Sequence, residues 1–210
     1  MPAERITAIK NPVTTADMIR EAKAAVDHPW MRDDFDEPVV ISVGRLTKNK
    51  DHQTLLKAFR LINDEVPSRL LILGEGPERP TLERAIAETG LLDRVQLPGF
   101  VDRPWAWMAK SSLFVLSSFA EGSGNVLTEA MAVGIPVVST DCPSGPNEML
   151  DGGRIAPLVP IGDAAALAEA CIGVLKTGIA PSLLEEAVAP FKAEVAARSY
   201  LAFMKVNAPF

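Results

Sequence analysis

Two cations and two carboxylates, set among glycines, are the residues of this chain best suited to chemistry. Gly44, Arg45 and Lys50 follow the apolar run Val39–Val43. A guanidinium offers a planar fork of donors and an ammonium a movable point charge, so the pair suits a phosphate or diphosphate. Glu121, Gly122, Ser123, Gly124 and Asn125 follow a later apolar run, Leu113–Ser117. Gly122 and Gly124 let the backbone approach a ligand closely. The helix expected from Val126 to Val133 begins near Asn125, where free N–H groups and a positive dipole end also favour phosphate. Glu129 sits in the first turns of that helix. Helical side chains lean toward the N-terminus, so its carboxylate is expected to point back toward the loop. There it is a good acceptor for the vicinal hydroxyls of a ribose or hexose. Two cations and a helix terminus together stabilise a departing diphosphate without a metal.

Taken singly, each feature has an ordinary explanation. A lone cation after a strand is solvated, and an early-helix glutamate answers the dipole. Gly74-Glu75-Gly76-Pro77 reads as a turn and lacks the third glycine of a dinucleotide fingerprint. His52 reads as a helix-surface residue, and Trp105 and Trp107 as structural. The functional case rests on the joint arrangement.

That arrangement requires elements to hold it. Short β-branched runs alternate with amphipathic stretches: strands at Val39–Val43, Arg69–Leu73, Val95–Leu97, Leu113–Ser117, Pro136–Ser139 and Ile155–Leu158. Between them come helices capped by Asp51 and Asp163, and others near 81–89, 104–110 and 126–133. Strands that read as continuous apolar runs separated by helices imply a parallel sheet covered on both faces. The expected fold is therefore α/β, a Rossmann-like parallel sheet of about six strands with helices on both faces. The expected divisions are an N-terminal extension over 1–38, a ligand-binding core over 39–178 and a helical tail over 179–210. In the tail, Ala187–Met204 reads as helical, with Phe191, Val195, Tyr200 and Met204 as packing residues, and Pro181 and Pro190 break the tail into pieces. Ligands in such sheets lie beyond the carboxyl ends of the strands. In the common strand order the first and fourth strands flank the switch point, which sets the cationic loop against the glycine-acid loop.

Composition narrows the partners. The chain has 210 residues, 48% of them hydrophobic, and a formal net charge of −6. That balance argues against a general nucleic-acid or anionic-membrane binder. Cys142 and Cys171 fit no metal-ligand spacing and read as reduced thiols. No apolar run reaches the length of a membrane span, so a cytoplasmic protein is expected, with any membrane proximity supplied by other parts.

The stretch Ser117–Val138, SSFAEGSGNVLTEAMAVGIPVV, resembles the signature of glycosyltransferase family four, the glycosyl transferases group 1. Val43-Gly44-Arg45-Leu46 with Lys50 is similar to that family's diphosphate loop. Gly74–Pro77 and Leu97–Phe100 match its next two strand ends, and Asn11-Pro12-Val13 its interdomain linker. The resemblance runs from about Ile9 to Leu175 and implies one half of a GT-B fold, the C-terminal donor-binding domain. It implies retaining transfer from a nucleotide-diphospho-sugar, UDP favoured over GDP, with no cofactor or obligatory metal. It gives Arg45 and Lys50 the diphosphate, Glu121 the sugar hydroxyls, and Glu129 the ribose. Gly122, Ser123, Gly124, Asn125, Val126 and Leu127 line the donor, Thr128 meets a phosphate, Gly44 belongs to the diphosphate loop and Leu97 lies by the base. The acceptor, a glycan or lipid-linked molecule of polysaccharide or glycoconjugate synthesis, is expected on an N-terminal domain absent from these residues. The chain alone is expected to transfer little. The alternative is a non-catalytic nucleotide-sugar-binding module acting with a partner subunit.

Overall fold

The period-two alternation of the central strands assigns their side chains to two opposite cores. In the computed structural model, which describes residues 8–204, Val39 and Ile41 face one cluster while Val40 faces the other. Residues 1–7 and 205–210, at the outer ends of the two flanking segments, lie outside the described residues.

The first helix of the described residues is α1 (Ala16–Glu21), capped by Thr15. Strands β1 (Val39–Val43), β2 (Arg69–Leu73) and β3 (Val95–Gly99) alternate with α2 (His52–Glu65), α3 (Arg79–Glu88) and α4 (Trp105–Lys110). Next come β4 (Leu113–Leu116), α5 (Asn125–Ala132), β5 (Val137–Thr140), α6 (Pro146–Met149), β6 (Leu158–Val159) and α7 (Ala164–Thr177). Two further helices, α8 (Pro181–Val188) and α9 (Ala193–Phe203), close the described chain. All six strands are parallel in the order β3-β2-β1-β4-β5-β6, the Rossmann-like arrangement with its switch between β1 and β4. Helices α2, α3 and α7 cover one face and α4, α5 and α8 the other. Asp51 and Asp163 cap α2 and α7 by accepting from Thr54 N and Ala166 N.

Three expectations are corrected. The sixth strand forms at Leu158–Val159, not Ile155–Leu158. Pro157 has no N–H to donate, so the ladder starts at its carbonyl, which accepts from Ser139 N at 3.2 Å. The tail breaks at its prolines as expected, α8 beginning at Pro181 and a turn at Pro190 preceding α9, but its packing residues differ. Phe191 and Ala196 are buried, whereas Val195, Tyr200 and Met204 are exposed. His52 is buried, 4% exposed, rather than on the helix surface.

The flanking segments join each other. Thr14 N donates to Phe191 O at 3.0 Å and Ala193 N to Thr14 O at 3.0 Å. Among the described residues no single helix is long and apolar enough to cross a membrane. Cys142 and Cys171 are free and buried.

Candidate functional site

The turns after β1 and β2 are pressed together until only glycine fits. A Cβ on Gly74, whose φ is +141°, would stand 1.9 Å from Gly44 O, and one on Gly76 would stand 2.3 Å from Leu46 O. Leu46 N donates to Glu75 O at 2.9 Å, locking the pair. The segment expected only to turn the chain thus fixes the position of Gly44 and Arg45.

The β1 turn is also sewn to the β4 turn across the switch point. Phe119 N donates to Asn49 O at 2.8 Å, and Ser117 Oγ to Lys50 O at 2.8 Å. Across this seam Lys50 Nζ lies 2.7 Å and 2.9 Å from the two Glu121 oxygens. The pair is largely shielded, with Lys50 17% and Glu121 8% exposed at the side chain. Buried Ser118 also donates its hydroxyl to Glu121. Behind it, Thr140 Oγ1 donates to Ser118 O at 2.7 Å, so β5 braces the loop. Sequence reasoning singled out Lys50 and Glu121 but not Ser118.

The start of α5 is left open. Gly124, in the left-handed region at φ 61°, is its N-cap and supplies no capping side chain. Among the described residues, the N–H groups of Gly122, Ser123, Gly124, Asn125 and Val126 find no acceptor, while Leu127 N donates to Gly124 O. Gly145 lets the β5 turn back this loop: its Cβ would stand 3.1 Å from Ser123 C and O. Asn125 Oδ1 accepts from Ser123 Oγ at 2.9 Å and from Asn11 Nδ2 at 3.2 Å, tying the linker-like segment to the loop.

A cleft of about 550 Å³ opens beside this seam. Gly44, Arg45, Gly74 and Glu75 form one wall; Phe100, Val101, Trp105 and Glu129 form the other. Arg45 is exposed and has no ionic partner among the described residues. Trp105 Nε1 donates to Glu129 Oε2 at 3.2 Å. Burial raises the Glu129 carboxyl above the usual carboxylate range, and the indole hydrogen bond opposes that shift.

Other residues named from the sequence lie elsewhere. Gly122, Ser123 and Asn125 border a neighbouring depression with Ile9, Lys10 and Asn11. Leu97 lines a separate hollow beside Arg79 and packs toward the α2/α3/α7 core. Thr128 is fully buried, its hydroxyl 3.5 Å from Met149 Sδ, and Leu127 is buried in the core. Val126 is half-buried against the same core. Phe100, 74% exposed on the cleft wall, went unassigned in the sequence. Trp105, read as structural, forms part of that wall.

His52 and Asp51 adjoin a smaller hollow of about 190 Å³. Burial, with the Lys50 charge adding to it, lowers the His52 pKa to about 4. Burial also raises the Cys142 thiol, with the nearby Glu121 charge adding to the effect.

A six-stranded Rossmann-like sheet, with a cation-carboxylate seam and an open helix start at its switch point, is one half of a GT-B fold. The family described as "Glycosyl transferases group 1" matches residues 37–177, and the chain belongs to that family. It is 33% identical over 201 residues to the lipopolysaccharide core biosynthesis glycosyltransferase LpsE of Rhizobium meliloti, covering 93% of this chain and 56% of that protein. It is 34% identical over 145 residues to the N-acetylgalactosamine-N,N'-diacetylbacillosaminyl-diphospho-undecaprenol 4-alpha-N-acetylgalactosaminyltransferase of Campylobacter jejuni, covering 69% of this chain and 38% of that one. The fold is shared with HepE of Anabaena, solved in complex with UDP and glucose. The TM-score is 0.76 and the identity 22%, over 91% of this chain and 53% of HepE. The chain thus spans about half the length, or less, of these proteins.

Proposed function

We propose that this chain is the donor-binding half of a retaining glycosyltransferase that moves a sugar from a nucleotide-diphospho-sugar to a glycan or lipid-linked acceptor. The observation that carries the reading is the contact between Lys50 and Glu121 across the switch point, 2.7 Å apart and beside the uncapped start of α5. One group is suited to a phosphate and the other to sugar hydroxyls, and they stand side by side, so a sugar phosphate laid against the pair meets both. Arg45 reaches the diphosphate from the cleft side, and Glu129 takes the ribose.

In the reaction the bond from the anomeric carbon to the β-phosphate oxygen breaks while the acceptor oxygen bonds to the same face. The acceptor proton passes to the departing phosphate oxygen. Negative charge grows on the diphosphate, where Arg45, Lys50 and the free N–H groups of 122–126 meet it. No metal or cofactor is required in this scheme. The acceptor site belongs to a second domain that faces this cleft, and transfer needs both halves. A UDP-sugar is the first donor to test, since HepE of the same fold holds UDP and glucose.

A thermal-shift panel of UDP- and GDP-sugars at millimolar concentration tests the reading. A donor raises the Tm by mass action. Arg45→Ala or Lys50→Ala abolishes the shift, and Glu129→Ala weakens it. No shift with any nucleotide sugar would sink the proposal.

A further inference from the structure

Glu129 presents an unusual balance of partners. Its carboxylate stands on the cleft wall, half-buried, and no cation pairs with it among the described residues. Its only side-chain donor there is the Trp105 indole, at 3.2 Å from Oε2. An indole N–H donates only, carries no charge and cannot titrate. It satisfies one oxygen and leaves Oε1 without a protein donor. A half-buried carboxylate with no charged partner keeps acceptor capacity on its second oxygen that a ligand hydroxyl can use. Trp105 itself is the first residue of α4, and its ring packs against the core that α5 also lines. Two chi angles and a packed ring give the donor a fixed direction.

We infer that Trp105 is a positioning residue: its N–H holds the Glu129 carboxylate so that Oε1 stays open to a ribose hydroxyl of the donor. The inference rests on the donor-binding reading above. It predicts that Trp105 governs discrimination for the ribose rather than affinity for the diphosphate. An unheld carboxylate swings and accepts each hydroxyl less well. The diphosphate contacts of Arg45 and Lys50 do not depend on it.

The test measures Kd for UDP, 2′-deoxy-UDP and 3′-deoxy-UDP on the full chain, with the guanosine set in parallel. The wild-type chain prefers the ribonucleotide over at least one deoxy form by about tenfold, the size of one hydrogen bond to a charged group. Trp105→Phe keeps the ring, removes the N–H and reduces that preference to about threefold or less. In a Glu129→Ala background Trp105→Phe leaves the preference unchanged. Replacing Trp105 by benzothienylalanine, which keeps the bicyclic shape and lacks the N–H, gives the same loss if Trp105→Phe folds poorly. An equal weakening of all three nucleotides, with the preference intact, makes Trp105 merely structural and overturns the inference. A wild-type chain that discriminates while the variants discriminate equally well sinks this inference alone. A wild-type chain that binds no nucleotide sinks the donor reading and this inference together.

Discussion

Replacing Glu121 by Gln should make the chain bind UDP more tightly, although it deletes a residue assigned to the donor. The Glu121 carboxylate occupies the ammonium that the diphosphate needs, at 2.7 and 2.9 Å. At that separation the gross attraction is about 6 kcal/mol for an effective dielectric of 20, and desolvation of both groups offsets most of it. The net coupling is on the order of 1–2 kcal/mol for a pair this shielded. An incoming diphosphate must share Lys50 with Glu121 and also meets the repulsion of its negative charge. Glutamine keeps the shape and one acceptor but removes both effects. UDP affinity should rise about tenfold, corresponding to about 1.4 kcal/mol. The free variant should melt about 2–8 °C lower, because Lys50 is left without its counter-charge. The extra affinity of a UDP-sugar over UDP should shrink, since the sugar hydroxyls lose their carboxylate. Isothermal titration of UDP and a UDP-sugar into both proteins, at two salt concentrations, measures each quantity. Unchanged or weaker UDP binding by a folded Glu121→Gln protein would refute the competition for Lys50.

Three further outcomes follow from the same geometry. Gly74→Ala should lower the Tm by several degrees and weaken UDP binding, because its Cβ would stand 1.9 Å from Gly44 O at a φ of +141°; an unperturbed thermal melt and titration would contradict this. Raising salt from about 0.05 to 0.5 M should weaken UDP binding by the wild-type chain, since Arg45 is exposed and screened; titrations across a salt series report it, and salt-independent binding would contradict it. His52 has a folded pKa of about 4 against 6.5 when unfolded, so between those values the unfolded chain takes the proton and acid favours unfolding. Its contribution, on the order of 3 kcal/mol, is present above pH 6.5 and lost toward pH 4, so His52→Gln should flatten the fall of Tm across that window.

The sheet was legible because its inner strands β1, β2, β4 and β5 are buried on both faces and therefore read as apolar runs bounded by glycine and polar turns. Lys50 and Glu121 were legible for the same reason: each follows a strand that flanks the switch point. Less was visible where placement depends on non-local packing. The ladder between β2 and β3 shifts register between Leu71 and Leu73, so Leu73 pairs with Gly99. That shift sets Phe100 and Val101 on the cleft wall and leaves Leu97 turned toward the opposite core. Thr128 occupies a face of α5 that packs on Met149 of α6, a contact no local pattern announces. The Trp105–Glu129 hydrogen bond needs α4 laid beside α5, and 24 residues separate the partners. The burial of His52, the first residue of α2, likewise arises from tertiary packing, here beside Phe119 and Leu82.

The central claim is that a pyrophosphate seats between the β1 cations and the open start of α5. Amide ¹⁵N–¹H spectra of the labelled chain during a UDP titration test it at the atoms concerned. The Gly122, Ser123, Gly124, Asn125 and Val126 amides should shift together, saturating with a single Kd, and Lys50→Ala should abolish those shared shifts. Saturable shifts confined to other regions, with these five amides unmoved, would contradict it.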